Sequence, residues 1–329
     1  MHISNKSGIP LTLAVWAVHD DYDFNYDENY ISVTTLMKPI RQIVLGYRIK
    51  PEQREQLDAA DLISSSWGSA LHGSVENAWL NYRKNLKKLG YPDHIIERVR
   101  INPTAEEIAA NPDIIAIYME QRRTKTLNGW TVGGKFDFVG EGQVQDNKST
   151  TAYTWLYGTK DEDYKLQLSM YRFLNQDIIT EETGQVNFLF TDWKKVDARS
   201  NPKYPQKRLE SKTIPLLTIS ETENWITGRL RLIDQYRATP ENELPRCTDE
   251  ELWRSDPQYK YYGDATKTSG RSTKNFETLH EANQYWKVEK AGKGIVITVP
   301  GQVKRCEYCG VFNLCSQKNE YFPTNEVQQ

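Results

Sequence analysis

The chain has 329 residues, room for one large or two small domains, and its 38% hydrophobic and 11% aromatic content supplies a sizeable core. A formal net charge of −2 excludes a surface that grips polyanions everywhere, so any nucleic-acid contact has to be local. No basic-then-apolar leader opens the sequence and no apolar run approaches eighteen residues, so a soluble, cytoplasmic protein without membrane contact is expected.

Residues 1–30 begin polar and turn acidic, with Asp20, Asp21, Asp23, Asp27 and Glu28 interleaved among Tyr22, Phe24, Tyr26 and Tyr30. Such a carboxylate run is usually a solvated loop; a calcium site is the lesser alternative, since the glycine and terminal glutamate of an EF-hand are missing. Ser32, Thr34 and Thr35 supply capping hydroxyls for a helix predicted to reach residue 47, with Pro39 kinking or restarting it. An amphipathic helix is predicted over 67–89, burying Leu71, Val75, Ala78 with Trp79, and Tyr82. His72 and Glu76 lie one turn apart on an adjoining face, and Arg83, Lys84, Lys87 and Lys88 form a basic tail suited to the negative end of the helix dipole.

Three strands are predicted over 114–149, with turns at Asn128-Gly129 and Gly140-Glu141-Gly142. Phe136 and Phe138 point one way on the middle strand and Asp137 the other, while Val144, Asp146 and Lys148 share a face of the third. Two carboxylates and an ammonium therefore converge. Such a set suits a hard divalent cation beside phosphate, with the lysine orienting water or offsetting developing negative charge; taken alone, an Asp-x-Lys pair on an edge strand is more often a solvated ion pair. Gly133-Gly134 lets a backbone or substrate approach closely, and Glu120 sits on the first strand, where it could face the site, its parity undetermined. A helix over 162–175 carries Gln167 and Tyr171 one turn apart, and a strand follows over 185–191. Helix, three strands, helix, strand is the resulting order.

Residues 193–213 hold Lys194, Lys195, Arg199, Lys203, Lys207, Arg208 and Lys212 around Trp193 and Tyr204. A phosphate-tracking, base-stacking loop and an ordinary exposed hairpin both fit this composition. A helix is predicted over 219–236. All four cysteines come late, as Cys247 and then Cys306-x2-Cys309-x5-Cys315, a spacing that reads as a zinc or iron–sulfur site. Either metal would close a loop of roughly sixty residues and order a stretch, 259–272, too polar to build its own core.

Asp137, then Asp146-Asn147-Lys148-Ser149, then Gln167-Leu168-Ser169-Met170-Tyr171, resembles the PD-(D/E)XK nuclease superfamily in its RecB-like branch, whose motifs run Gly-x-x-Asp, Asp-x-Lys-Thr and Gln-x-x-x-Tyr. An upstream helix with a metal-binding histidine is matched by Gly68-Ser69-Ala70-Leu71-His72, and Ser149 replaces the commoner threonine. The resemblance covers about residues 67–192. It implies an α/β, restriction-endonuclease-like core that hydrolyses DNA with Mg²⁺ or Mn²⁺ held by His72, Asp137, Asp146 and a backbone carbonyl of Gln145 or Asn147. Lys148 would position water, while Gln167 and Tyr171 would bind the phosphate backbone or brace the Lys148 strand. The three-plus-one cysteines resemble the iron–sulfur clasp of AddB-type helicase–nuclease subunits and of four-cysteine CRISPR-associated nucleases. Those carry their first cysteine ahead of the core, where this chain has Arg41 and Gln42; here Cys247 follows the core.

The expectation is thus a stand-alone, phage-type deoxyribonuclease, chiefly an exonuclease. It comprises an N-terminal helical extension (1–66), a nuclease core (67–240) and a C-terminal cysteine-clasped region (241–329) binding [4Fe–4S] or Zn²⁺. DNA is the expected partner, along with a single-strand-binding, recombinase or helicase protein. Lys194, Lys195, Lys203, Lys207 and Arg208 are the candidate DNA contacts. No Gly-x-x-x-x-Gly-Lys-Ser/Thr motif occurs, so no helicase motor is built in. A non-catalytic recombination protein and a zinc-stabilised interaction protein are the rival readings.

Overall fold

A computed structural model describes residues 3–20, 25, 27–54 and 56–322. Most of the acidic run, Asp21, Tyr22, Asp23, Phe24 and Tyr26, lies outside the described residues. The chain divides into two compact units, one made of Met1–Lys38 and Gln56–Asp234, the other of Pro39–Glu55 and Gln235–Gln329. No helix among the described residues is long and apolar enough to cross a membrane.

Among its described residues the first unit carries nine strands: β1 (Tyr30–Ser32), β2 (Val99–Ile101), β3 (Ile115–Met119), β4 (Arg122–Leu127), β5 (Trp130–Lys135), β6 (Phe138–Gly140), β7 (Gln143–Thr150), β8 (Thr183–Phe190) and β9 (Leu209–Pro215). Six of them form one mixed sheet in the order β2-β3-β6-β7-β8-β9, with β3, β6 and β7 an antiparallel meander and β8 parallel to β7. A helix at Ile63–Leu80 precedes the meander, and a second at Asp161–Leu174 makes the crossover from β7 to β8. The α/β core therefore has the expected order, helix, three strands, helix, strand.

The three strands are not the ones the pattern suggested. Asn128-Gly129 does make a tight turn, both residues with positive φ (50° and 79°), but it joins β4 to β5, which pair with β1 in a separate three-stranded sheet. The expected middle strand breaks at Phe136–Asp137: β5 ends in the small sheet and β6 begins in the large one. Phe136 and Phe138 are both buried, so each flank of the break is anchored in apolar packing. At the next turn Glu141 and Gly142 both take positive φ (52° and 77°), which closes β6 onto β7.

Helix boundaries follow side-chain chemistry. Ser32 caps a one-turn helix, Val33–Leu36, by accepting from the Thr35 N–H at 3.1 Å; Pro39 then starts a new helix, Ile40–Arg48. The predicted helix over 67–89 starts earlier and is interrupted at Asn81. Its inward stripe is Leu71, Val75, Trp79 and Tyr82; Ala78 is exposed, because Trp79 takes that place against the sheet. The Trp79 ring lies 5.0 Å from that of Phe138, and Tyr82 donates to the Val99 carbonyl at 2.8 Å. Val99, Ile117, Met119 and Phe138 form the cluster beneath them.

In the second unit, Gln258–Tyr262 pairs antiparallel with Lys274–Phe276 and Ile295–Val299. Tyr261 and Tyr262 are buried here, as is Ala282. The stretch expected to lack a core thus has a small one, built on tyrosine rings whose hydroxyls can stay hydrogen-bonded: Tyr261 donates to the Lys293 carbonyl at 2.9 Å.

Candidate active site and cysteine cage

Where β6 has not yet begun, β7 has lost its neighbour, and the Asp137 carboxylate takes that place: its Oδ2 accepts from the Asn147 N–H at 2.9 Å. On a strand a residue's N–H and C=O point to the same side, so the Asn147 carbonyl faces the same gap. His72 Nδ1 reaches the same Asp137 oxygen at 3.1 Å from the Ile63–Leu80 helix. Ligand atoms of His72, Asp137 and Glu120 all lie within 4.8 Å of one another, the one such trio of His, Cys, Asp or Glu among the described residues. Glu76 is not part of it.

Glu120 follows β3 in the left-handed region (φ 52°), and Lys135 holds its carboxylate at 2.5 Å. Alternation along β3 says nothing about its side chain, because the strand has ended. That is why its participation was not legible in sequence.

Asp146 is only 2% exposed and pairs with Lys148 Nζ at 2.7 Å. Burial pushes its carboxyl up to about 6 despite the opposing pull of Lys148, and nearby Asp137 adds to the rise. Burial works against the Lys148 ammonium, but the Asp146 and Asp137 carboxylates together outweigh it and hold its pKa above the ordinary lysine value. The Asp137 hydrogen bond raises the His72 pKa over the opposing effect of burial. Asp146 Oδ2 receives no well-directed hydrogen bond; the close Lys148 ammonium is its sole compensation among the described residues. A buried, under-satisfied carboxylate oxygen costs free energy unless a cation meets it. The donor set, carboxylates plus imidazole plus carbonyl, is one a hard divalent ion accepts.

The Asp161–Leu174 helix presents Tyr164, Gln167 and Tyr171 to this region. Gln167 Nε2 donates to the Tyr171 hydroxyl at 2.9 Å and makes a long 3.5 Å contact with Asp146 Oδ1. Tyr164 was missed by motif reading, although its spacing of three and seven residues from the other two was the available signal. Burial and then the Asp146 charge hold its phenol well above the ordinary tyrosine value, and Lys148 Nζ lies 6.0 Å from its ring. Gly133 and Gly134 do admit a close approach, by side chains of the chain itself. A Cβ on Gly133 would fall 2.4 Å from the Tyr30 hydroxyl, and one on Gly134 would fall 2.9 Å from Val33 Cγ2 and 3.0 Å from Tyr171 Cε1. Gly134→Ala is accordingly expected to displace the Tyr171 ring and lower stability by about 1–3 kcal/mol. Urea unfolding measures this, and an unchanged midpoint would refute it.

Gln145 and Asn147 direct their side chains away from Asp146 and Lys148. They meet Asn187, at 3.3 and 3.1 Å, on the opposite face of the sheet, so only their backbone carbonyls are candidates for the site.

The five candidate DNA contacts lie on an excursion between β8 and β9 that contains the helix Lys195–Ser200. Lys194, Lys195, Lys203, Lys207 and Arg208 are all exposed, and none forms an ion pair among the described residues. Its aromatic rings brace the excursion instead of standing free. Tyr204 is buried, with its hydroxyl accepting from the Lys194 N–H at 3.0 Å, and Trp193 donates to the Pro205 carbonyl at 2.8 Å.

In the second unit Cys247, Cys306, Cys309 and Cys315, none of them in a disulfide among the described residues, line one small cavity. Burial, then Glu251 and the neighbouring thiols, pushes Cys247 up to about 12; burial, the Cys309 and Cys315 thiols and then Glu307 push Cys306 up to about 11 against the pull of Arg305. Four thiols so placed cannot ionise together without a cation among them, and that is the donor chemistry of a thiolate-bound metal.

No family model matches the chain, and no curated protein matches it. Among solved structures it is similar to SSO0001 at 15% identity over 67% of this chain and 84% of that one, with a TM-score of 0.40. It is also similar to a phage related exonuclease from Haemophilus somnus 129PT at 17% identity, over 40% of this chain and 63% of that one, with a TM-score of 0.26. Likeness at this level assigns no family.

Proposed function

We propose that the first unit is a Mg²⁺- or Mn²⁺-dependent deoxyribonuclease of the RecB-like PD-(D/E)XK type, acting as an exonuclease. The observation that carries this reading is the buried Asp146 carboxylate with its under-satisfied oxygen, beside Lys148 and near Asp137. His72, Glu120, Asp137, Asp146 and the Asn147 carbonyl are the residues that would hold one or two ions. Bound there, a divalent ion would make a hydroxide-like nucleophile available at neutral pH and offset charge building on the phosphate. Lys148, stabilised as an ammonium by its carboxylates, would donate hydrogen bonds from Nζ to water or phosphate. Gln167 and Tyr171 hold each other and keep a side-chain amide against Asp146, which limits its rotation. The exposed Lys194, Lys195, Lys203, Lys207 and Arg208 supply a local phosphate-binding patch on a chain of nearly neutral charge.

The deciding experiment compares end-labelled linear DNA with covalently closed circles in the presence of Mg²⁺ or Mn²⁺. Degradation of the linear form alone is expected. A folded protein that cleaves neither form with either metal overturns the reading.

Protons and metal compete for the same atoms, since Asp146 has to be ionised and His72 neutral to bind an ion. Both groups have raised pKa values, so lowering the pH from 8 towards 5.5 is expected to raise the metal concentration for half-maximal cleavage. His72→Ala should raise that concentration at pH 8 and make its pH dependence shallower, with part of the loss recovered by Mn²⁺, which accepts imidazole more readily than Mg²⁺ does. A lowered melting temperature with an unaltered metal titration would make His72 a core residue instead.

For the second unit the proposal is a thiolate-bound [4Fe–4S] cluster. Tetrahedral zinc with bonds of about 2.3 Å would bring its sulfurs to roughly 3.8 Å from one another. Among the described residues no three cysteine sulfurs approach within 4.8 Å of one another, although all four line one cavity. That wider spacing favours a cubane, whose corners hold thiolates farther apart. DNA-processing proteins that present or receive strand ends, such as a single-strand-binding protein, a recombinase or a helicase, are the partners this activity would meet.

A further inference from the structure

The segment Pro39–Glu55 belongs to the same compact unit as the cysteines, and it contributes a cation to their cavity. Arg41 is only 4% exposed. Its Nε donates to Cys315 Sγ at 3.1 Å, its Nη1 to the Leu244 carbonyl at 3.2 Å, and its Nη2 to Ser316 Oγ at 3.3 Å and to the Glu241 carboxylate. Glu241 in turn accepts from the Ser316 N–H at 2.9 Å and from its hydroxyl at 3.1 Å. One guanidinium thus ties the turn bearing Cys315 to the stretch leading into Cys247, from opposite ends of the cysteine series. It is planar and permanently charged, so its fork fixes directions that a flexible ammonium would not.

The Glu241 carboxylate balances part of this charge. Four thiolates around a dication, whether Zn²⁺ or the 2+ core of a cubane, leave the centre with two net negative charges, and a cationic donor on one sulfur offsets part of them. Hydrogen bonds and charge at the sulfurs are among the principal controls on the potential and retention of such centres. Resting on the metal-cage reading of the second unit, we propose that Arg41 is the positioning residue of that cage. It orients Cys315 and offsets the charge of the metal–thiolate centre, which slows metal loss and, for an iron–sulfur centre, raises the reduction potential.

The test uses the full chain purified without oxygen, with iron and zinc per chain determined and metal release to EDTA followed over time. Arg41→Gln is expected to release metal about tenfold faster than wild type, and Arg41→Lys, which keeps the charge and loses the fork, at an intermediate rate. In an iron-loaded protein, spectroelectrochemical titration should place the midpoint of Arg41→Gln below that of wild type, with Arg41→Lys between them. Wild-type release by Arg41→Gln overturns the proposal. So does equal, faster release by both variants that merely parallels a fall in melting temperature of the metal-free protein, since that is a structural effect alone. Where Arg41→Gln does not fold, Arg41→Lys decides: faster release supports the proposal, and a wild-type rate overturns it. A wild type that carries neither iron nor zinc removes the metal cage itself, and the proposal with it, while leaving the nuclease reading of the first unit intact.

Discussion

Asp146→Asn is expected to lower metal-dependent DNA cleavage by a factor on the order of 10³, about 4 kcal/mol of transition-state stabilisation. The substitution keeps the side-chain volume, so neither the Val144 packing on the same face nor the β7–β8 pairing has cause to shift. It removes the charge on which Lys148 depends. With Asp146 neutral, the partly buried Lys148 ammonium retains only the Asp137 carboxylate among the anions that stabilise it, and its pKa falls. On the proposed reading two functions are therefore lost together, a metal-binding oxygen and the electrostatic hold on the lysine. Lys148→Met should produce a loss of similar size by the second route alone. Because the two side chains form one pair, the double variant should be little worse than either single one, a non-additivity seen where residues act as a unit. Circular dichroism and thermal melting establish that the variants are folded. Wild-type cleavage by a folded Asp146→Asn would remove this carboxylate from the reaction.

Cys306→Ser is expected to act on the second unit and spare the first. Buried thiols that resist ionisation are a liability until a cation binds, so on the metal-cage reading metal and fold are thermodynamically linked there. Loss of one ligand should lower the stability of the unit by about 3 kcal/mol, which moves the midpoint of a domain of this size by roughly 10–20 °C. The protein as purified without oxygen should be brown, and the variant pale. Two separate melting transitions should appear in the variant, with only the lower one sensitive to metal. A single transition unchanged by the substitution would show that the cysteines contribute nothing to the fold.

What was legible in the sequence was whatever depends on period and punctuation. Alternation placed Asp146 and Lys148 on one face of β7, and the Asn128-Gly129 and Glu141-Gly142 turns were visible from residues that tolerate positive φ. Helical spacing put Gln167 and Tyr171 side by side. The same logic failed where a strand changes sheets. Gly133 to Val139 alternates as one strand would, yet Phe136 and Phe138 are buried on either side of a bend that no local pattern marks. Glu120 and Arg41 were unreadable for a related reason. Their roles come from partners 17 and more positions away in the chain, His72 and Asp137 for one and Glu241 and Cys315 for the other. Tertiary placement, rather than local propensity, brings those groups together.

Arg41 and Cys315 are 274 positions apart. At roughly 5–20 residues per second of synthesis, the guanidinium leaves the ribosome about 14–55 seconds before its sulfur partner does. During that interval the helix Ile40–Arg48 has made Ile43, Val44 and Leu45, which are buried in the finished protein, while the residues that complete its own unit are still to come. The residues of the first unit emerge in between, so that unit can fold while the cysteine-bearing one is still unfinished. On the metal-cage reading, capture of metal would come late in the life of each molecule, after Cys315 has been made.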